Sequence, residues 1–213
     1  MWQTFLDFLF PRRSLRGTEG EWISTDEQSH LVSNPIIEET ADLRRRGLTS
    51  LDRLVAASTY AHCPLLKKAI HTFKYCGVRA LEGTLGHLIA QAASTVQSSD
   101  IVLCPVPLHW TRAFARGFNQ AERLARIVAC EKGMKVERLL KRIRATGSQA
   151  KRHRTERLTA VVGAFRWIGK VPPACVILID DLSTTGATLD QCACALKNAG
   201  VERVEGWVIA HDR

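Results

Sequence analysis

The chain has 213 residues, 46% of them hydrophobic and 24% charged, enough to bury one core of ordinary size plus a small appendage. A net charge of +9 and an isoelectric point of about 9.5 favour anionic partners, whether phosphorylated ligands, nucleic acid or an acidic protein surface, without choosing among them. No segment approaches the roughly 18 apolar residues that span a bilayer, and seven cysteines without a CxxC pair argue against a disulfide framework or zinc binding, so the expectation is a reduced, soluble, cytoplasmic protein with no membrane insertion.

Met1 to Phe10 is apolar but short, contains Asp7 and lacks a basic start, which predicts an amphipathic helix packed on the main domain and no signal peptide. Residues 14–50 mix Gly, Ser, Thr, Asn and Pro with charges, including Glu38-Glu39 and Arg44-Arg45-Arg46, and are expected to be loose and partly ordered. An N-terminal segment, 1–58, is thus set apart from a main domain, 59–213. Helical spacing begins at Leu51, Leu54 and Val55, resumes after Pro64 at Leu65, Ala69, Ile70 and Phe73, and again at Leu81, Leu85, Leu88, Ile89 and Ala92. These helices predict a hood that precedes the sheet.

Ile101 to Cys104 is the first core strand, stopped by Pro105-Val106-Pro107, since proline removes ladder donors. After a long loop, Asn119 caps a helix whose apolar face is Ala121, Leu124, Ala125 and Val128 and which ends near Gly133. Leu139-Leu140 and the stretch from Val161 to Phe165 are short extended pieces. The strand from Val176 is followed by a helix through Leu189, Cys192, Ala193 and Leu196, and Val204 to Ala210 closes the sheet. Strand, loop and helix in this order describe an α/β protein with a doubly wound, mainly parallel sheet flanked by helices. Neither a Walker P-loop nor a dinucleotide GxGxxG occurs.

Val176-Ile177-Leu178-Ile179 is covered on both faces, so it carries Asp180 and Asp181 to the edge where α/β sheets bind ligands. Two carboxylates there can grip a ribose diol. Across Leu182 to Thr188, Ser183, Thr184, Thr185 and Thr188 offer hydroxyls, Gly186 lets backbone approach, and after Ala187 a helix opens its N–H groups to an anion, as a sugar 5-phosphate requires. An acidic strand end before a capped helix accounts for one Thr, not for the whole string. The turn Pro105, Val106, Pro107, Leu108 serves either as a rigid strand exit or, as the family resemblance given below implies, as a backbone that meets pyrophosphate. The same resemblance makes Arg112 and Arg116 candidate pyrophosphate clamps, and Lys74 either enters the site from the hood or belongs to a helix end anchored by its neighbours.

Residues 138–157 hold eight Arg or Lys against one acid, Glu156. This strip, with Lys151, Arg152 and Arg154 at its centre, is a lid, a track for a DNA or RNA backbone or a solvated loop. His109, His153 and His211 lack partners at ligand or triad spacing and are expected to face solvent.

Phe73-Lys74-Tyr75, Pro105-Val106-Pro107-Leu108, Arg116-Gly117-Phe118-Asn119-Gln120 and the Asp180 to Thr188 signature occur in one order, and together they resemble the ComF family. That resemblance spans about Tyr60 onward. It implies a type I phosphoribosyltransferase fold with a helical N-terminal hood, in which Asp180 and Asp181 hold the ribose hydroxyls of phosphoribosyl pyrophosphate (PRPP), Leu182 to Thr188 bind its 5-phosphate, and a substrate-bridged Mg2+ assists. Catalysis would rest on Asp180, Asp181 and Arg116. The family is also linked to competence, so the implied partners are PRPP and an unknown acceptor, with single-stranded DNA and DNA-processing proteins as the alternative to catalysis. Two departures stand out: no cysteine precedes Cys63, so the family's N-terminal zinc module is degenerate and no zinc is expected, and Ala160 stands where the family favours Asn.

Overall fold

The computed structural model describes residues 14–19, 21–61, 63–76, 80–93, 100–108, 117–144 and 161–212. After a short helix α1 (Thr25–His30) come strand β1 (Ile36–Glu39) and helix α2 (Thr40–Arg45). Strand β2 (Arg53–Thr59) leads into helices α3 (Pro64–Cys76) and α4 (Ala80–Ala92). Strand β3 (Ile101–Pro105), helix α5 (Gln120–Lys132) and strand β4 (Lys135–Val136) follow, then a ribbon of β5 (Leu140–Arg142) and β6 (Phe165–Trp167). Strand β7 (Cys175–Ser183), helix α6 (Ala187–Lys197) and strand β8 (Arg203–His211) complete the described chain.

Six strands form one sheet in the order β1-β2-β8-β7-β3-β4, and β5 and β6 pair separately. Only β1 is antiparallel to its neighbour in the main sheet; β2, β8, β7, β3 and β4 are parallel. From β3 the chain winds outward to β4, and from β7 it winds the other way to β8. The order therefore reverses between β3 and β7, and the crevice beyond their C-terminal ends is where open α/β sheets take ligands.

Burial on both faces explains the apolar strands. Ile177, Ile179, Trp207 and Leu103 pack under α3, α4 and α5 with Phe73, Leu85 and Leu124, while Val176, Leu178 and Val208 pack against Leu43, Leu48 and Leu196 on the other side. The two layers each bury a continuous apolar cluster, the main source of stability. Among the described residues no helix is long and apolar enough to cross a membrane.

Two expectations change. Leu51, Leu54 and Val55 do not start a helix: β2 buries Leu54, Val55, Ala56 and Ala57 in succession. A strand covered on both faces shows no alternation, and its apolar positions can mimic helical spacing. The sheet thus begins before the hood helices, and β2 runs across position 58. Residues 14–50 are also less loose than expected, since their polar side chains are consumed locally: Ser24 and Glu27 form a reciprocal cap on α1, and Arg44 Nη1 donates to Leu48 O at 2.7 Å and Leu51 O at 2.8 Å.

Candidate functional site

β7 ends with two acids and a hydroxyl because its ladder continues further than its apolar run. Asp180 pairs in register with Val208 and Ser183 with His211. Asp180 Oδ1 accepts the Asp181 N–H at 2.8 Å, whereas Asp181 Oδ1 lies 2.8 Å from Lys74 Nζ. Burial, and then the neighbouring Asp181 charge, push the Asp180 carboxyl up to about 7, against smaller downward pulls from the Asp181 N–H hydrogen bond, Lys74 and Arg142. Among the described residues no hydrogen bond reaches Oδ2 of either acid.

The loop beyond is short and largely enclosed. Ser183 is 3% exposed and its Oγ is the one buried side-chain polar atom without a hydrogen-bond partner among the described residues. Such an orphan costs stability unless something fills its bonding capacity. Thr185 Oγ1 accepts from Ala187 N at 3.3 Å, and α6 starts from Gly186 with no side-chain cap from that residue. Gly186 has φ of 82°, and a Cβ there would come within 2.6 Å of Leu48 Cδ1, so this position demands glycine twice over. Thr184, Leu182 and Thr188 are half-buried at the mouth, and Ala187 is buried beneath it.

The other wall is the end of β3. Pro105 and Val106 are buried, Pro107 and Leu108 half-buried, and Val106 N donates to Ile179 O at 3.0 Å, which carries the β3–β7 pairing one step past the strand. Asn119 Oδ1 caps α5 through Ala121 N at 3.1 Å, while its Nδ2 donates to Val106 O at 3.1 Å. Gln120 Nε2 reaches Lys74 O at 3.4 Å, and Phe118 lies between the Phe73 ring, 5.9 Å away, and the Arg123 guanidinium, 4.1 Å above its centroid. The Gly117-Phe118-Asn119-Gln120 block is therefore the joint that ties the hood, the strand exit and α5 together. Lys74, the Pro105 to Leu108 turn and the Asp180 to Thr188 segment all meet in this crevice; Arg112, Arg116, Lys151, Arg152 and Arg154 lie outside the described residues.

No family model matches the chain. It is 31% identical over 154 residues to competence protein ComFC of Bacillus subtilis, covering 71% of this chain and 62% of that protein. It is 27% identical over 170 residues to competence protein F of Haemophilus influenzae, covering 76% and 73%. A third relative, DNA utilization protein YhgH of Salmonella typhimurium, is 29% identical over 163 residues, covering 74% and 71%. These similarities point to the ComF family.

Several residues around the crevice escaped sequence reasoning. His211 is not solvent-facing but fully buried at the end of β8, with Nδ1 2.9 Å from Ser183 O. Sequence places it two residues from the last residue of the chain, and only the pairing of β8 with β7 brings it inside. Glu38 and Arg46 join it, and Asp190 Oδ1 accepts from Ser50 N at 2.7 Å and Leu51 N at 2.9 Å. The basic strip also divides where it is described. Arg138 is taken up by Glu122 at 2.6 Å, and Arg142 is buried beside the Phe165 ring with its charge acting on Asp180. Lys141 faces outward. The alternation of β5 was the available signal, because it separates Arg142 from its neighbours by face.

Proposed function

We propose that this ComF-family protein binds PRPP with Mg2+ in the cytoplasm and transfers its phosphoribosyl group to a nitrogen acceptor, through a type I phosphoribosyltransferase site at the β3–β7 crevice. The observation that carries the reading is the pair Asp180 and Asp181 at the reversal of strand order, followed at once by the orphaned Ser183 hydroxyl and the start of α6. A ribose diol meets two carboxylates, and a 5-phosphate meets hydroxyls and backbone N–H groups at a helix start.

In the reaction the bond from the ribose carbon to pyrophosphate breaks, pyrophosphate leaves with the electron pair, a carbon–nitrogen bond forms, and the acceptor nitrogen sheds a proton. Asp180 and Asp181 orient the sugar and face the positive charge that develops on it. Lys74 balances Asp181 before the ligand arrives and supplies a cation on the hood side. Pro105 to Leu108 presents a backbone held in place by Asn119 and Ile179. The donor set suits a hard cation shared with substrate: the two acids offer oxygen ligands, and no cluster of three or more His, Cys, Asp or Glu among the described residues forms a protein-only cage. Bound with PRPP, Mg2+ would neutralise charge on the departing pyrophosphate.

Calorimetric titration with PRPP, with and without Mg2+, tests the reading on the wild type and on Asp180→Asn/Asp181→Asn. Mg2+-dependent binding that disappears in the double variant is expected. Equal affinity in both proteins would refute the site.

The relatives named for competence and DNA utilization, together with one surface feature, support a second role in DNA uptake through contact with single-stranded DNA. Lys141 and Arg166 are exposed and sit directly opposite each other across the β5–β6 ribbon. Like charges in that arrangement repel unless an anion lies over them. Fluorescence anisotropy across a salt series checks this role: Lys141→Gln/Arg166→Gln should flatten the dependence of DNA affinity on salt, and an unchanged slope removes the surface from consideration.

A further inference from the structure

Two consecutive carbonyls of the ligand loop end on one buried ionic group. His211 Nδ1 lies 2.9 Å from Ser183 O, and Arg46 Nη2 donates to Thr184 O at 3.1 Å. A carbonyl only accepts, so Nδ1 carries the proton; Arg46 only donates, so His211 Nε2, 3.1 Å from Arg46 Nη1, is the acceptor. These neighbours assign the neutral Nδ1–H tautomer. Glu38 pairs with the same Nη1 and balances the guanidinium charge. His211 is fully buried, and the Glu38 and Arg46 side chains are only 5% and 17% exposed.

A trans peptide points its C=O and N–H in opposite directions. Fixing Ser183 O and Thr184 O onto the buried group therefore turns the N–H groups of Thr184 and Thr185 away from it. Among the described residues neither N–H has an acceptor. The same N-terminal stretch holds the loop at two further points: Leu48 fills the space against Gly186, and Asp190, in the first turn of α6, receives the N–H groups of Ser50 and Leu51.

We propose that Arg46, braced by Glu38 and acting in part through His211, is the positioning residue of the phosphate loop, directing the Thr184 and Thr185 N–H groups at the phosphate monoester of the ligand. This rests on the reading of the crevice as a PRPP site. It gives the segment 36–51 a task that the lost zinc ligands do not touch: it is the underside of the ligand loop. Arginine suits the role because its planar fork spans two acceptors at once, which an ammonium on a flexible stem does not.

The test titrates wild type, Arg46→Met and Arg46→Lys with PRPP, ribose 5-phosphate and pyrophosphate, each with Mg2+, and follows the backbone amide order parameters of Thr184 and Thr185 without ligand. Arg46→Met should weaken PRPP and ribose 5-phosphate by a common factor of about tenfold or more and leave pyrophosphate unchanged. Arg46→Lys should fall between, and the order parameters of both amides should drop in both variants. A purely structural role would lower the melting temperature without separating the three anions. Unchanged affinity for the two monoesters, or an equal loss for pyrophosphate, overturns the proposal, and Arg46→Lys decides it alone should Arg46→Met fail to fold. A wild type that binds neither monoester refutes the PRPP reading instead; the amide order parameters then still decide Arg46, and unaltered values in the variants overturn its role in ordering the loop.

Discussion

β7 and β8 lie side by side through the sheet, and their two ends are built in opposite ways. At the N-terminal end the acids are matched: fully buried Glu205 accepts from Arg203 Nε at 3.0 Å and Trp207 Nε1 at 3.1 Å, while Asp52 Oδ2 takes Val204 N at 2.8 Å and Lys197 Nζ at 2.7 Å. At the C-terminal end Asp180 receives one backbone N–H beside a second carboxylate, and the Ser183 hydroxyl is buried without a partner. Polar groups that satisfy one another stabilise a fold. Polar groups left wanting at a strand end are held for something else, and the fold offsets their cost elsewhere.

Breaking the matched end should cost the most stability and the least function. Glu205→Ala leaves the buried Trp207 Nε1–H without its acceptor and takes the anion from half-exposed Arg203, and should lower unfolding free energy by about 2 to 3 kcal/mol, read by urea denaturation, with PRPP affinity within twofold of wild type. The unmatched end should respond to pH. Because the Asp180 carboxyl is raised to about 7 in the folded protein, the folded state keeps a proton that the unfolded chain releases between about pH 4 and 7. Stability should therefore fall as pH rises through that window, by about 1 to 3 kcal/mol, and Asp180→Asn should flatten the profile. Over the same upper range PRPP affinity should rise as Asp180 ionises; affinity that falls from pH 6 to 8 would contradict this.

Ser183→Ala sharpens the comparison at one atom. Removing a buried hydroxyl without a protein partner should leave the melting temperature equal or slightly higher, yet weaken ribose 5-phosphate about three- to tenfold. The smallest expected effect lies on the ribbon, where Lys141→Gln should raise stability by a few tenths of a kcal/mol by relieving its cross-strand repulsion with Arg166.

What sequence revealed, and what it hid, follows the same division. The run from Val176 to Thr188 was legible because four branched apolar residues, two acids and a hydroxylic loop are contiguous, and α5 was legible from Asn119 at its start to Gly133, whose φ of 65° ends it. β2 was misread because burial on both faces erases alternation. The underside of the loop was invisible for another reason. Arg46, Glu38 and His211 become neighbours only when β1, β2, β8 and β7 pair in that order, and a separation of 165 positions between Arg46 and His211 carries no local signal. Arg44-Arg45-Arg46 looked like one charged run, yet its members part ways: Arg44 caps backbone carbonyls, Arg45 stays exposed on Asp42, and Arg46 turns inward.

The most direct test of the account is thermal melting of the wild type and Asp180→Asn at pH 8, each with and without PRPP and Mg2+. The account predicts that the variant alone melts higher than the wild type, by about 2 to 8 °C for a gain of about 1 to 2 kcal/mol, and that ligand raises the wild type but not the variant. A variant that melts lower, and still gains as much from ligand as the wild type, would contradict it.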